Sequence, residues 1–458
     1  MNITKIIGGI VIAGGIGVVA TPMFYQKQVN KLISTQKQYL SQKGIDISKK
    51  SDNDSFFQVN REYILTIKDI TPFIKDVYPN ISSYDLKALK KTFDNTQFLV
   101  KLNFSKYPVA HKEAAKITLY KLNDYTTRNL STDFTGNEIL NFIKNKGLEI
   151  ILDTNSLELS KATLKNIDLT LHKSKTSKNI MHLKTLNTYT LFNSKNNSTT
   201  NIDNIEFNLV DNHLKSDISI QNFIYNLSKQ NDFNYKTTSS IDTIKYNYEK
   251  TLYYSNRTIK ADFVLKNISS NSNVKSIVNN LSVSNSISIK KADFHADNNS
   301  IIVDNFKLTN KFEKLDLISI KKIVDSLKSS PKIDPKELSQ YAQTLINKGF
   351  KFSIKPLSFD KITINSKKNI NISKLDLNFV LNLAQNNFTL NSPINRLLAY
   401  LSADLNIKTT KENIDLLTKI NPMIAIYLSQ IATITKNNVS IDISYKNGRL
   451  LSNGKQIR

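Results

Sequence analysis

Residues 375–383 read LDLNFVLNL, and this stretch determines the fold class that the sequence predicts. Leucine or phenylalanine occupies every second position, so an extended chain here would present one apolar face and one largely polar face. The same alternation recurs at 281–289 and 439–445, and Asn-rich turns such as 297–299 separate segments of this kind. One-sided strands are typical of antiparallel sheets. The sequence therefore predicts an α+β fold that is predominantly antiparallel β, an elongated, twisted, meandering sheet with a few packing helices.

Helical periodicity indicates where those helices lie. It predicts Ser83–Phe93, Gly136–Lys146, Pro335–Lys348 and a longer helix, Lys411–Thr435, that Pro422 is expected to kink. Asp334 and Pro335 form a typical helix start. Near the end of the chain, Asn447-Gly448 predicts a tight hairpin after the last long strand.

The first residues predict a membrane segment. Residues 6–26 carry no charge, and about 20 residues at about 1.5 Å each cross a bilayer core of about 30 Å. A signal peptide cleaved after Ala20 is the alternative. Apolar character continues past Ala20 to Tyr25, which favours an uncleaved transmembrane signal-anchor over residues 1–27.

Small residues recur within this segment at Gly9, Ala13 and Gly17. Residues four positions apart share one face of a helix, and small side chains there let two helices approach closely. Self-association through this face is a hypothesis, and the alternative is that small residues are simply common in membrane helices.

The body of the chain follows the anchor in three parts. A partial helical periodicity predicts a stalk helix over 28–45. A β-rich region covers 46–330, and a C-terminal α+β region with the terminal hairpin covers 331–458. With a single anchor and a secretory-type leader, we expect the whole body on the extracytoplasmic side. The absence of cysteine agrees with this, since it leaves neither a disulfide framework nor thiol chemistry.

Glycine usage excludes several classes of enzyme. Five of the 11 glycines lie within the first 17 residues, and the others are scattered or lie at predicted helix ends and in the terminal hairpin region. Loops that bind phosphate need clustered glycines, where the backbone approaches the ligand closely. The sequence speaks against a Rossmann enzyme, a P-loop NTPase and a kinase.

The formal net charge of +25 has three interpretations. Lysine and asparagine are abundant, as AT-rich coding sequence would produce. An anionic envelope surface is a second interpretation and nucleic acid a third. Only six of the 63 basic residues are arginine, the residue that phosphate and base recognition favours, so we expect no nucleic-acid partner.

We predict no catalytic, cofactor-binding or metal-binding residue. The five histidines lack metal-binding spacing; they are His111, His172, His182, His213 and His295. The carboxylates Asp262, Asp293 and Asp404 stand in strand-like alternation and are expected to face water. Tyrosines at 246, 248, 253 and 254 are interpreted as strand side chains, with a ligand platform as the alternative.

The C-terminal third carries a family resemblance. Residues 351–359 read KFSIKPLSF, and residues 439–455 read VSIDISYKNGRLLSNGK, a strand, an Asn-Gly turn and a second strand. Together with the anchor and the β-rich body, the Pro-Leu-Ser strand and the Tyr-x-Asn-Gly hairpin resemble the YdgA-like family of bacterial proteins. The resemblance covers residues 335–458 and the anchor. It implies an inner-membrane protein of Gram-negative bacteria with a periplasmic body, and it implies no catalytic residues.

Two functions remain open at this point. The first is a non-enzymatic, membrane-anchored periplasmic protein that binds or scaffolds an envelope component, holding a lipid or a hydrophobic segment on its extended sheet. The alternative is an extracytoplasmic hydrolase acting on an envelope polymer. Coverage of Leu375–Leu383 distinguishes the two, because a groove requires these side chains to be open.

Overall fold

The computed structural model describes residues 34, 37–55, 58–78, 81–105, 110–155, 158–174, 179–194, 196–252, 254–255, 257–329, 335–366, 369–389, 393–420 and 422–457. The predicted anchor, with Gly9, Ala13 and Gly17, lies outside these ranges. Of the predicted stalk helix, residues 37–42 are helical, Gly44 turns the chain at φ +78°, and Ile45 already begins a strand. Within the described ranges, the structure contains no helix with the length and apolar character needed to cross a membrane.

The chain forms two compact units, residues 1–217 and 218–458. The boundary predicted near residue 330 lies inside the second unit, and residues 330–334 are outside the described ranges.

Among the described residues, the first unit is an antiparallel sheet with packing helices. Its strands are β1 Ile45–Asp52, β2 Gln58–Ile67, β3 Gln97–Ser105, β4 His111–Lys121, β5 Glu149–Asn155, β6 Glu158–Leu164, β7 Asp168–His172, β8 Ile180–Leu186, β9 Thr188–Ser194 and β10 Asn197–Asp211. Its helices are α1 Thr71–Val77, α2 Ser83–Phe93, α3 Asp124–Leu130 and α4 Phe134–Lys144. The strands pair in the order β1–β2–β3–β4–β5–β6–β9–β10–β8–β7.

A closed apolar core holds this unit together. Val59, Val100 and Leu102 are almost fully buried, and Leu40, just before the first strand, packs into the same cluster. A second cluster lies under α1 and α2, where Ile70, Ile74 and Leu89 are buried. The inward face of β1 to β5 is therefore sealed, as in an ordinary globular domain.

The second unit contains much longer strands. They are β11 Leu214–Asn231, most of which belongs to this unit, β12 Asn234–Thr251, β13 Thr258–Ile277, β14 Asn280–Ala296, β15 Asn299–Asp316, β16 Phe350–Asn365, β17 Ile370–Leu383, β18 Leu401–Thr410, β19 Ala432–Ile434, β20 Asn438–Lys446, β21 Arg449–Ser452 and β22 Lys455–Gln456. Its helices are α5 Leu317–Ser329, α6 Pro335–Lys348, α7 Ile394–Leu398, α8 Lys411–Ile420 and α9 Met423–Ile431. Antiparallel pairing runs β12–β13–β14–β15–β16–β17–β18–β20.

The predicted fold class is confirmed in its main feature, a mostly antiparallel sheet with a few helices. Helices α2 and α6 begin and end at the predicted residues. The helix predicted at Gly136 begins at Phe134 instead, because the Asp133 carboxylate caps it by accepting from the Gly136 N–H at 2.6 Å.

The single kinked helix predicted over Lys411–Thr435 was wrong. Its first part ends at Ile420, a second helix begins at Met423, and Ala432–Ile434 is a strand. Pro422 lacks the N–H that a continuous helix would need, so the helix ends before it. The predicted hairpin is confirmed, with Asn447 and Gly448 both at positive φ between β20 and β21.

Candidate functional site

One face of the second unit's sheet carries apolar side chains in rows that cross many strands. Four rows define this apolar face. The first row is Tyr246, Phe263, Phe294, Ile301, Ile364 and Ile370, and the second is Ile244, Leu265, Ala292, Val303, Ile362 and Ile372. The third row is Ile287, Leu308, Leu357, Leu377, Ile407 and Ile441, and the fourth is Tyr235, Val274, Val283, Phe312, Phe352, Leu381, Ala403 and Tyr445.

Ring contacts strengthen two of these rows. In the first row the Tyr246 and Phe263 ring centroids are 5.4 Å apart, and those of Phe263 and Phe294 are 6.0 Å apart. In the fourth row the Phe312 and Phe352 ring centroids lie 4.7 Å apart with the rings tilted by 36°. Cross-strand aromatic pairs of this kind fix the register of neighbouring strands.

A change in alternation separates the second row from the third. In β13 the exposed residues are odd-numbered from Asn267 to Ile277 and even-numbered at Lys260 and Lys266. Asn267 has φ +50° in the middle of this strand. A residue in the left-handed region interrupts the alternation and re-aims the following side chains, so Leu265 and Ile268 stay on one face.

Asparagines with positive φ also interrupt β11 and β15. Asn222 has φ +53° and donates through Nδ2 to Asp242 Oδ2 on β12 at 2.8 Å. Asn305 has φ +55° and donates to Asp360 Oδ2 on β16 at 2.7 Å. We call the line through Asn222, Asn267 and Asn305 the kink row. It keeps all four apolar rows on the same face.

Helices cover the apolar face only in part. Ile407, Ile441 and Ile443 pack with Ile414, Leu428 and Ile431 of α8 and α9. Where β13 ends and β14 begins, Val274 and Leu281 pack against Leu317 of α5. Both helix groups therefore occupy the margins of the face.

Away from these helices the apolar side chains are open. Phe294 is 42% exposed and Ile301 is 44% exposed, although they are directly paired neighbours. Ile287 in the third row and Phe312 in the fourth are 36% exposed. Of the alternating residues that led to the groove hypothesis, Leu383 is buried and the other four are half-buried. Among the described residues, none of these five belongs to the cluster beneath α8 and α9.

A short polar ladder interrupts the apolar face between the third and fourth rows. The Ser272 hydroxyl donates to Asn285 Oδ1 at 2.7 Å, and Asn285 Nδ2 donates to Asn310 Oδ1 at 3.2 Å. These three residues are directly paired across β13, β14 and β15. Beyond β15 the same line continues with apolar Ile354 and Phe379.

The opposite face of the sheet is polar. Serines pair across it, with Ser269 and Ser288 hydroxyls 2.7 Å apart. Near one end of β15 and β16, Lys311 and Lys351 contact Glu313, and the hydrogen bond from Lys311 lowers the pKa of the Glu313 carboxyl. The two faces therefore differ in chemistry as the alternation predicts.

This polar face contains a shallow cavity of about 260 Å³. Asp404 and Asp442 line it, together with Lys355 and Asn378. Lys446 Nζ lies 3.2 Å from Asp404 Oδ1, and Asn406 donates to Asp442. Both carboxylates thus have a partner, and the Asp404 side chain is half exposed to water.

The carboxylates singled out in the sequence are not brought together. Asp262 and Asp293 lie on β13 and β14, whereas Asp404 lies on β18, with β15, β16 and β17 between them. His172, His182 and His295 each contact one carboxylate at 2.8 Å. Within the described ranges, His, Asp and Glu form no cluster that would hold a metal ion.

The four tyrosines that lie close together in the sequence do not form one site in the structure. Tyr246 belongs to the first row, and its ring stacks with that of Tyr248 at 6.4 Å. Tyr254 lies exposed in the following turn, and Tyr253 is outside the described ranges.

These features define a β-sheet protein whose second unit presents a broad, partly open apolar face. No family model, curated protein or solved structure matches the chain. The resemblance to the YdgA-like family stays a prediction.

Proposed function

We propose that this protein binds the acyl chain of a lipid along the apolar face of its second unit, as a non-enzymatic, membrane-anchored protein of the bacterial cell envelope. The pair Phe294–Ile301 carries the proposal, since both side chains stay more than two-fifths exposed within a row that crosses six strands. Large contiguous apolar patches on soluble proteins mark interaction sites.

The dimensions of the open region suit one chain. From Ile287 to Phe294, β14 advances seven residues, or about 23 Å at about 3.3 Å each. A bilayer core of about 30 Å contains two layers of acyl chains, so each chain needs about 15 Å. An acyl chain laid along the strands therefore fits within this open path and would contact neighbouring rows of it.

A lipid suits this face better than a protein segment. A peptide brings backbone N–H and C=O groups, and leaving these unpaired against apolar side chains is unfavourable. An acyl chain has no such groups. The anchor predicted at 6–26 supports placing this activity at a membrane, where acyl lipids are abundant.

The test is purification of the full chain in mild detergent, followed by native mass spectrometry for retained lipid. We expect about one lipid per protein. Phe294→Asp combined with Ile301→Asp places two charges in the first row and is expected to abolish retention. The matched control, Ser269→Asp with Ser288→Asp, places two charges on the polar face and is expected to retain lipid.

Circular dichroism of each variant shows whether the sheet is intact. A wild-type protein that repeatedly carries no lipid contradicts the proposal, and so does a folded Phe294/Ile301 variant that binds as much lipid as its control. A co-purifying protein in place of lipid would also contradict it.

A further inference from the structure

The polar ladder Ser272–Asn285–Asn310 lies where the apolar face would otherwise be continuous. Asn310 stands two residues from Phe312 and two from Leu308, which belong to the fourth and third rows. Across the sheet its partners are Asn285 and Ile354. An asparagine in the middle of an apolar strand face is unfavourable unless its amide has polar partners.

The hydrogen bonds within the ladder run in one direction. The Ser272 hydroxyl donates to Asn285, and Asn285 donates to Asn310. The Asn310 oxygen is therefore used as an acceptor, while among the described residues its Nδ2 group has no partner. The ladder thus ends in an amide group that lies on the apolar face and keeps a donor available for a ligand.

We infer that the ligand of the apolar face is an acylated molecule whose ester or amide carbonyl accepts a hydrogen bond from Asn310 Nδ2. This inference rests on the proposed function and narrows its ligand class. The acyl chain leaves the ladder across the third row towards the first, and the carbonyl end stays at Asn310. A bound acyl chain would cover these rows, so the hydrogen bond beneath it forms away from water and is stronger than on an exposed surface.

The arrangement also orients the ligand. The Ser270 hydroxyl on the same face pairs with that of Ser239 at 3.0 Å, whereas Asn310 Nδ2 has no partner among the described residues, so a ligand carbonyl is favoured at Asn310. A plain hydrocarbon has no carbonyl and would leave the Asn310 amide unpaired.

Two ligands that differ only in the carbonyl test this. 1-Palmitoylglycerol has an ester, and 1-O-hexadecylglycerol replaces it by an ether of similar length. For the wild-type full chain we expect the ester to bind about three- to tenfold more tightly, as one neutral hydrogen bond provides. Asn310→Leu and Asn310→Asp are both expected to remove this preference, and the Asp variant keeps the acceptor that Asn285 needs. Asn273→Leu, on the polar face of β13, is expected to keep it.

The outcomes separate the two proposals. If the wild-type protein binds ester and ether equally, the inference about Asn310 is wrong while acyl binding stands. If both Asn310 variants keep the preference, the carbonyl is held elsewhere and the inference is again wrong. If the wild-type protein binds neither ligand, the proposed function itself fails.

Discussion

Asn305 Nδ2 donates a 2.7 Å hydrogen bond to Asp360 Oδ2, joining β15 to β16 at the kink row. The same pair of residue types recurs as Asn222–Asp242 in the second unit and, within the first unit, as Asn187–Asp203 at 2.7 Å. Each of these asparagines has positive φ. The carboxylate on the neighbouring strand holds the asparagine in a conformation that glycine would adopt without help.

The first prediction concerns this conformation. Asn305→Val places a β-branched side chain at φ +55° and removes the hydrogen bond, so we expect the free energy of unfolding to fall by about 2–3 kcal/mol. Asn305→Gly loses only the hydrogen bond and is expected to lose about 1 kcal/mol. Urea denaturation measures both. Asn271→Val, at an exposed strand position of β13, is the control and should change stability little. Equal losses for Val and Gly at residue 305 would contradict this account.

The second prediction concerns a buried ion pair in the first unit. Arg61 Nη2 lies 2.5 Å from Asp54 Oδ2, and both side chains are more than nine-tenths buried. Burial lowers the pKa of the Arg61 guanidinium, but hydrogen bonds with Asp54 and Tyr63 outweigh it and the pKa is raised. Arg61→Met leaves the Asp54 charge buried without its main partner, and we expect a loss of about 3–5 kcal/mol.

Its controls separate charge from packing. Arg61→Met with Asp54→Leu removes both charges and should recover most of that loss. Lys121→Met breaks an exposed pair with Asp124 and should change stability by less than about 1 kcal/mol. A double variant as unstable as Arg61→Met alone would show that the loss reflects packing.

The third prediction is a pH dependence at Asp69. The Thr71 hydroxyl and then Lys90 Nζ, at 2.9 Å, stabilise its carboxylate and lower its pKa from 3.8 to about 2. A carboxyl group whose pKa is lower in the folded state stabilises the protein above its unfolded pKa, and this contribution is lost as the pH falls through the folded value. The wild-type protein should therefore exceed Asp69→Asn in stability at pH 6, with the difference vanishing between pH 4 and pH 2.

The effect at Asp69 should be modest, because the side chain is almost half exposed. Asp124→Asn, at a largely exposed carboxylate, is the matched control. Unfolding by urea at a series of pH values measures each difference. If the stability difference between wild type and Asp69→Asn stays constant from pH 6 to pH 2, the prediction is wrong. The loss would then come from hydrogen bonds that do not depend on ionisation of Asp69.

The sequence predicted the fold class because its signals are local. Alternation at Leu375–Leu383 and the Asn447-Gly448 turn act within a few residues, and so does the start of α6 at Pro335. The kink row was not predicted. In the sequence it appears only as pairs of adjacent polar residues, such as Lys266-Asn267 and Asp304-Asn305, that interrupt the alternation. Only the register between strands shows that these interruptions lie side by side.

The candidate site was harder to predict for the same reason. Ser272, Asn285 and Asn310 are ordinary residues of polar stretches when read along the chain. They become a ladder because three strands pair in one register. The sequence left open whether Leu375–Leu383 is covered, and in the structure Leu383 is buried and the other four alternating residues are half-buried. The more exposed apolar side chains are Phe294 on β14 and Ile301 on β15.

The last prediction compares two glycines that share a backbone conformation. Gly349, which ends α6, has φ +76°, and Gly448 in the terminal hairpin has φ +77°. A Cβ at Gly349 would lie 2.5 Å from the Leu383 carbonyl oxygen, whereas a Cβ at Gly448 meets nothing within 4 Å. Gly448→Ala should therefore cost only the left-handed conformation, about 1–2 kcal/mol. Gly349→Ala adds a backbone clash beside a buried leucine, and its loss of unfolding free energy should clearly exceed that of Gly448→Ala in the same urea titration. Similar losses at the two positions would contradict this prediction, because they would mean that β17 shifts away from Gly349 at no cost. The pairing of Leu383 on β17 with Phe350 on β16 opposes such a shift.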